Sequence, residues 1–405
     1  MTRLSSRAPG ERVACPDCGL MQVLPILGRR QTAVCRQCDS TLAGPATGRV
    51  DAPLALIGAA LLLLLPAIVW PLITVSTLGA QRQSWLQTGV AALWNQGFVS
   101  LATVVGVFSV ALPCIYLAVL AWVLAALRFN FGGPLGPLFR WTQYLRPWMM
   151  IEVYLVGCFV AYSRIKVVSS IEIGIGGWCL LAASLLFLLA LTQLDERTVW
   201  EALPVDVAAR KGRQTIACTM CDLIVTNTEE GRHCPRCATT LHARKPDAFR
   251  RTMALVIAGF VLYVPANIIP VLTTVRLGRS EENTIMSGVL ELIHNDLWPL
   301  AIIVFAASII LPLLKLCGLT WMLLATYLRS RRLLVGRTRF YRMIDLVGRW
   351  SNIDVFTVSV LIAALRFGTL TEVHAGNGLV AFAAVVVITM VATSVFDTRL
   401  MWDAA

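Results

Sequence analysis

Charge is what this chain has least of. Asp, Glu, Lys and Arg make up 14% of its 405 residues while 57% are hydrophobic, and a water-soluble globule of this length would lack the polar surface it needs. Also missing are a GxxxxGK[ST] phosphate loop, a GxSxG elbow and an HExxH helix, so neither ATP hydrolysis nor a familiar hydrolase site is visible. No cleavable secretory signal is expected, because about fifty polar residues precede the first long apolar run. The first segment is therefore expected to stay in the cytosol. A net charge of +12 is compatible with nucleic-acid binding. The arginines, however, gather between Arg128 and Arg146 and between Arg329 and Arg349, where the positive-inside rule expects cytoplasmic loops. Topology accounts for that charge, and no nucleic-acid partner is expected.

What the chain does have, it has twice. Cys15-Pro-Asp-Cys18 and Cys35-Arg-Gln-Cys38 precede four long apolar segments; Cys218-Thr-Met-Cys221 and Cys234-Pro-Arg-Cys237 precede four more. Adding 199 carries Pro66 to Pro265, Pro71 to Pro270, Ser109 to Ser308, Pro113 to Pro312 and Trp122 to Trp321. Adding 202 carries Trp148 to Trp350, Glu152 to Asp354, Arg164 to Arg366 and Asp195 to Asp397. Each copy is of domain size, with a ribbon over 1–50 and a membrane module over 51–200, then a ribbon over 201–248 and a module over 249–400. An even number of spans per module gives the copies one orientation, related by an axis along the membrane normal.

The eight apolar segments centre on Leu56 to Val75, Phe98 to Leu127, Met150 to Val168, Gly177 to Leu194, Ala254 to Val275, Leu297 to Leu328, Ile353 to Leu370 and Leu379 to Phe396. Each suffices to cross about 30 Å of hydrocarbon at about 1.5 Å per residue. An even count places both termini, both ribbons and both arginine-rich stretches on the cytoplasmic side. The paired prolines in the first helix of each module are read as bending it, or as a hinge.

CxxC, a spacer, then CxxC is zinc-ribbon spacing, in which two knuckles bring four thiolates to one tetrahedral ion. The expected cofactor is Zn²⁺, in two structural sites: Cys15, Cys18, Cys35 and Cys38, and Cys218, Cys221, Cys234 and Cys237. Four protein ligands leave no position for a catalytic water, and metal binding supplies folding energy to a segment too small for its own core. A disulfide framework is disfavoured in a reducing cytosol, whereas a four-cysteine iron site stays open.

Ionisable side chains inside a span cost roughly 2.5 to 3.5 kcal/mol near the centre of a helix, so each calls for a reason. Lys315 lies well inside the sixth apolar segment, two helical turns from Ser308 on the same face. Asp354 opens the seventh segment and Thr389 lies in the eighth. In the first module Lys315 is replaced by Tyr116 and Thr389 by Phe187, while Asp354 remains acidic as Glu152. A Lys/Asp pair peculiar to the second module suggests a working site there, with a polar lock between helices as the alternative. Counted from the flanking arginines, Lys315 and Asp354 differ in depth by about 13 Å, a mismatch that a cytosolic extension of the sixth helix would remove. Arg164 and Arg366, near the periplasmic ends of their helices, are expected to snorkel to lipid headgroups, with direct phosphate contact as the sharper reading. Lys166 invites the same treatment.

Two ribbon-plus-four-span modules with Pro66 and Pro71, and again Pro265 and Pro270, after the cysteine clusters resemble the paraquat-inducible protein A family, including its LetA branch. The resemblance runs from Cys15 to Arg399, and the Lys/Asp pair leans towards LetA. It implies a polytopic inner-membrane protein of Gram-negative bacteria, all-α apart from its ribbons, with tetraspanin-like four-helix bundles. It also implies a non-enzymatic role in moving membrane phospholipids to or from a periplasmic MCE-domain partner. The family's polar network would fall on Ser308, Lys315, Asp354 and Thr389. A membrane-anchored zinc or redox sensor is the rival.

Overall fold

The computed structural model describes the chain except for residues 1–11, 26–30, 45–49, 78–79, 167–169, 206–213, 277–278 and 365–370. Among the described residues, eight helices are long and apolar enough to cross a membrane: Asp51–Val69, Val99–Phe129, Leu135–Lys166 and Ile175–Gln193 in the first module, and Ala248–Ile268, Trp298–Tyr327, Leu334–Ala364 and Asn377–Val395 in the second. They are numbered here as the first to eighth spans. Within each module the first helix packs on the last and on the second. Outward-facing residues such as Leu62 and Ile268 are more than two-thirds exposed, as suits helices surrounded by hydrocarbon rather than water.

The chain is mostly helical but not wholly so outside the ribbons. The first and fifth spans end at Val69 and Ile268, where Pro71 and Pro270 deny the helix its next donors. The residues expected to continue them instead form strands Ile73–Thr77 and Leu272–Arg276. Each is the middle of a three-stranded antiparallel sheet, flanked by Ala80–Ser84 and Ser170–Ile173, or by Arg279–Asn283 and Thr371–Ala375. Alternating β-branched residues in Ile73-Thr-Val-Ser-Thr77 suit a half-buried strand. The sheets sit on the same end of their modules, called here the sheet end. The close return of the fourth span to the first depends on glycine: a Cβ on Gly176 would stand 2.3 Å from the Trp70 carbonyl oxygen, and one on Gly378 2.3 Å from that of Ile269.

The arginine-rich stretches are helical rather than loops. Leu135–Leu145 and Leu334–Val347 are amphipathic helices that run through short 3₁₀ turns into the third and seventh spans. The third span is 32 residues long, about 48 Å, well beyond the hydrocarbon thickness. Its extra length carries the charged residues clear of the bilayer at the opposite, ribbon end. Lys315 and Asp354 nonetheless stay at different depths: Lys315 lies level with Gly348, whereas Asp354 lies level with Ser308, two turns along the sixth span.

The modules meet along the third and seventh spans. Gly157 lets the backbones approach, since a Cβ there would lie 3.0 Å from Phe356 Cβ and 3.2 Å from the Thr357 amide. Thr357 Oγ1 donates to Ile353 O at 2.8 Å and faces Gly157 O at 3.3 Å. Small residues at such contacts substitute dispersion for the missing hydrophobic drive between helices in lipid. As a result every residue from Ile353 to Ala364 is buried. At the sheet end Gln96 acts as a strand surrogate, donating to Val373 O at 3.3 Å and accepting from Ala375 N at 2.8 Å.

The ribbons are crossed. The N-terminal ribbon, which precedes the first module, sits on the second: Arg342 pairs with Asp17 at 2.8 Å and donates to Cys38 O at 3.1 Å, Arg339 reaches Asp39 at 2.8 Å, and Trp402 packs on the cysteine cluster. The second ribbon sits on the first module, where a Cβ on Gly136 would stand 1.9 Å from Arg236 O. Phe139 and Trp200 share a buried cluster with its four cysteines.

Candidate metal centres and buried polar site

In both ribbons the four sulfurs lie within 4.8 Å of one another and all four cysteines are buried. Sγ···Sγ separations are 3.4 and 3.6 Å in the first ribbon and 3.5 and 3.6 Å in the second. A tetrahedron with metal–sulfur bonds of about 2.3 Å has edges of about 3.8 Å, so the donor sets fit a four-coordinate thiolate-loving ion. All eight are free thiols rather than disulfides. The residue after the second cysteine of every knuckle is left-handed: Gly19, Asp39, Asp222 and Ala238, with φ of 77°, 56°, 55° and 58°. That turn lets the chain return an amide to the first cysteine's carbonyl, as in Gly19 N to Cys15 O at 2.9 Å and Ala238 N to Cys234 O at 2.9 Å.

The second module holds the buried ionisable groups. Its sixth span carries a π-helical turn, Ala306–Ile310, mirrored by Val107–Ala111 in the second span. Pro312 and Pro113 have no N–H to offer the carbonyls of Ser308 and Ser109, and the widened turn follows. The turn presents Ser308, whose Oγ donates to Val304 O at 2.6 Å and is hydrogen-bonded with the Asp354 carboxyl. Ser308 and Asp354 are therefore brought together.

Lys315 and Asp354, by contrast, form no direct ion pair. Lys315 Nζ donates to Gly348 O at 2.6 Å and to Ser351 Oγ at 3.2 Å, in the 3₁₀ turn that leads into Asp354. The ammonium is 2% exposed and Asp345 is the carboxylate within electrostatic range. A carbonyl at the end of the Leu334–Val347 helix is a partner that no charge count of the sequence would find. A Cβ on Gly348 would stand 2.6 Å from Lys315 Cε, so the lysine chain packs directly on the glycine and would have to shift. Subtracting 202 from 348 gives Arg146, so the first module has a cation where the second has a glycine, and Arg146 pairs with Glu196 instead. Thr389 is fully buried but donates to Val386 O of its own helix at 2.9 Å. In the first module the equivalents of Lys315 and Thr389, Tyr116 and Phe187, meet edge to face with centroids 5.8 Å apart. The seventh span also contributes Asn352, whose Nδ2 lies 3.0 Å from Met150 Sδ across the module boundary.

Arg164 departs from the expected outward snorkelling. It is half-buried at the boundary between modules, 3.5 Å from where a Cβ of Gly288 would stand, with Asp354 and Glu291 in electrostatic range and no hydrogen bond to its Nε. Arg366 lies outside the described residues.

Outside the membrane-length helices, Asp397 joins the second ribbon to the eighth span. It accepts from Arg399 Nη2 at 2.8 Å and from the Lys245 amide at 3.0 Å. Burial pushes its carboxyl up, but these donors outweigh burial and hold it below the usual carboxylate range. Burial likewise pulls Lys245 down, against the pull of Asp397.

A bundle that hides a cation and a carboxylate in only one of two like modules, and keeps its thiolate clusters at one end, defines a duplicated multi-pass membrane protein with an asymmetric interior. The chain belongs to the family described as paraquat-inducible protein A, whose model matches residues 50–204 and 249–405. It is 30% identical to the intermembrane transport protein PqiA of Escherichia coli K12, over 97% of this chain and 96% of that protein. It is 28% identical to the lipophilic envelope-spanning tunnel protein A of the same strain, over 99% and 95%. A probable intermembrane transport protein of Haemophilus influenzae matches at 25%, over 99% and 98%. No solved structure matches the chain significantly.

Proposed function

We propose that this protein is an inner-membrane lipid transporter subunit that passes phospholipid to or from a periplasm-spanning MCE-domain partner, and that it is not an enzyme. The observation that carries this reading is the asymmetry of the two modules. Burying Lys315 and Asp354 costs several kcal/mol per charge before compensation; the first module folds without that cost, using Tyr116 and Phe187. A purely structural lock would have been as useful in either copy. The names of the relatives, one an intermembrane transport protein and one a lipophilic envelope-spanning tunnel protein, support transport between membranes. Both ribbons would face the cytoplasm, with the sheet end towards the periplasm and its partner, and Zn²⁺ bracing each ribbon.

Movement of the load would be coupled to protons at Ser308, Lys315, Asp354 and Thr389. Ser308 has one hydroxyl proton for two acceptors, Val304 O and the Asp354 carboxyl, so a proton on Asp354 would let both contacts be made at once. Its loss would free the seventh span from the sixth. The ammonium of Lys315, tied to the turn preceding Asp354, would report the same event to the ribbon end.

The test is native mass spectrometry of gently solubilised protein co-expressed with its MCE-domain partner, together with lipid-barrier function of Lys315→Ala and Asp354→Asn strains. Two metal ions per chain, a stable complex, and loss of barrier function in both variants at normal abundance are expected. Full barrier function in both variants would sink the polar mechanism, and the absence of both complex and retained lipid would sink the transporter.

A further inference from the structure

A cavity of about 570 Å³ lies on the boundary between the modules, away from the Lys315 site, and is lined by the third, fourth and seventh spans with the end of the first sheet. Its floor is buried and apolar, formed by Tyr154, Leu180, Val360 and Ala363; its rim, with Phe159 and Leu185, is more than half exposed. The Ser184 hydroxyl in its wall is spent on the Leu180 carbonyl at 2.9 Å. The cavity thus opens sideways, between the third and fourth spans, at a depth where the surroundings are hydrocarbon. Along the third span it extends from Glu152 to Tyr162, about 15 Å at the helical rise, or half the hydrocarbon thickness. At its sheet end the Lys166 ammonium stands 5.8 Å over the Tyr162 ring and is exposed.

We infer that this cavity is a slot for one acyl chain of a bilayer phospholipid, whose headgroup phosphate rests by Lys166. A chain entering from the leaflet at the sheet end would run past Tyr162 and Leu180 towards Trp350. Its volume is that of a small-ligand site, its floor is apolar, and an exposed cation stands at the sheet end, where a headgroup would lie, while Glu152 lines the opposite end. The slot shares the seventh span with the polar site. Val360 and Ala363 face the chain, while Asp354 of the same helix faces Ser308. Trp350 lines the slot from the same 3₁₀ turn whose Gly348 and Ser351 hold the Lys315 ammonium. That the occupant is cargo rather than a bound structural lipid rests on the transport function proposed above.

The experiment uses the full chain in vesicles of phosphatidylethanolamine and phosphatidylglycerol doped with a phospholipid bearing a mid-chain diazirine. Crosslinked peptides are mapped after illumination, and lipid transfer is followed in parallel. Labels should concentrate on Tyr154–Tyr162 and Leu180–Leu188. Leu180→Trp, which fills the floor, should lower that labelling about tenfold by excluding two or so methylenes. Because Leu180→Trp also changes packing, the exposed Lys166→Glu provides a second reading: cavity labelling by phosphatidylglycerol should fall while Leu62 remains labelled as before. Even labelling of all lipid-facing residues, unchanged in both variants, overturns the slot. If the slot fails while Lys315→Ala still stops lipid transfer, the transporter reading stands alone; if the slot is labelled but neither Leu180→Trp nor Lys315→Ala alters transfer, the slot stands and transport falls.

Discussion

Gly348→Ala tests the buried site through a residue that carries no charge. The new methyl would sit 2.6 Å from Lys315 Cε and 3.1 Å from Nζ, so the lysine must withdraw from a place where it is 2% exposed. Withdrawal costs a charged hydrogen bond, about 1.5–3 kcal/mol, and a forced repacking costs about 1–3 kcal/mol more; a net loss of about 3 kcal/mol is expected. Lys315→Leu removes the two atoms in the way. Ser351 Oγ still donates to the Gly348 carbonyl at 2.9 Å, so this change should cost only about 1 kcal/mol. In the double variant the methyl occupies the vacated space, and the coupling energy should reach about 2 kcal/mol, a roughly thirtyfold effect on the folded-to-unfolded ratio. The assay is reversible unfolding in mixed micelles, followed by fluorescence of the chain's 12 tryptophans. Costs that add to within about 0.5 kcal/mol would refute the packing of Lys315 on Gly348.

Other outcomes follow from the ribbons and their junctions. Cys234→Ser with Cys237→Ser should reduce bound metal from two ions to one per chain and, because that ribbon rests on Gly136 of the first module, lower the melting temperature of the whole membrane domain; metal analysis with thermal denaturation measures both. Ala238→Gly relieves a left-handed alanine with φ of 58° and should strengthen the second ribbon by about 0.5–1 kcal/mol, read as slower metal loss to a chelator. Asp397→Asn should cost about 3 kcal/mol near pH 7 by stranding Arg399, which is 8% exposed. Since the folded carboxyl is held below its unfolded value, its contribution is complete above about pH 4 and fades as pH falls through the lower folded value; the gap between variant and parent should close in acid.

The cysteine knuckles, eight spans and duplication were legible because each is a local or periodic signal: CxxC spacing, runs of apolar residues, and constant offsets of 199 and 202. The sheets were hidden because Ile73–Thr77 and Leu272–Arg276 continue an apolar run, and only the prolines before them mark the change. The helices over Leu135–Leu145 and Leu334–Val347 were masked by their arginines, which read as loops although their apolar face is turned inward. Of the proposed polar site, burial cost singles out Lys315 and Asp354, whereas Ser308 and Thr389 enter by helical spacing and family resemblance. Their pairing was not legible, since Lys315 binds a main-chain carbonyl and Thr389 its own helix. Arg164 lies against Gly288 of the other module, a neighbour distant in sequence.

Crossing of the ribbons imposes an order on the making of this protein. Asp39 meets Arg339 across 300 residues of chain, so at about 5–20 residues per second the first ribbon emerges about 15–60 s before its seat exists. During that interval it must hold its metal alone, beside a first module still waiting for the second ribbon. Neither half is therefore a finished product, and the duplication cannot be undone by cutting the gene in two. Separately expressed halves should be short-lived, and should persist only when each supplies the other's missing ribbon.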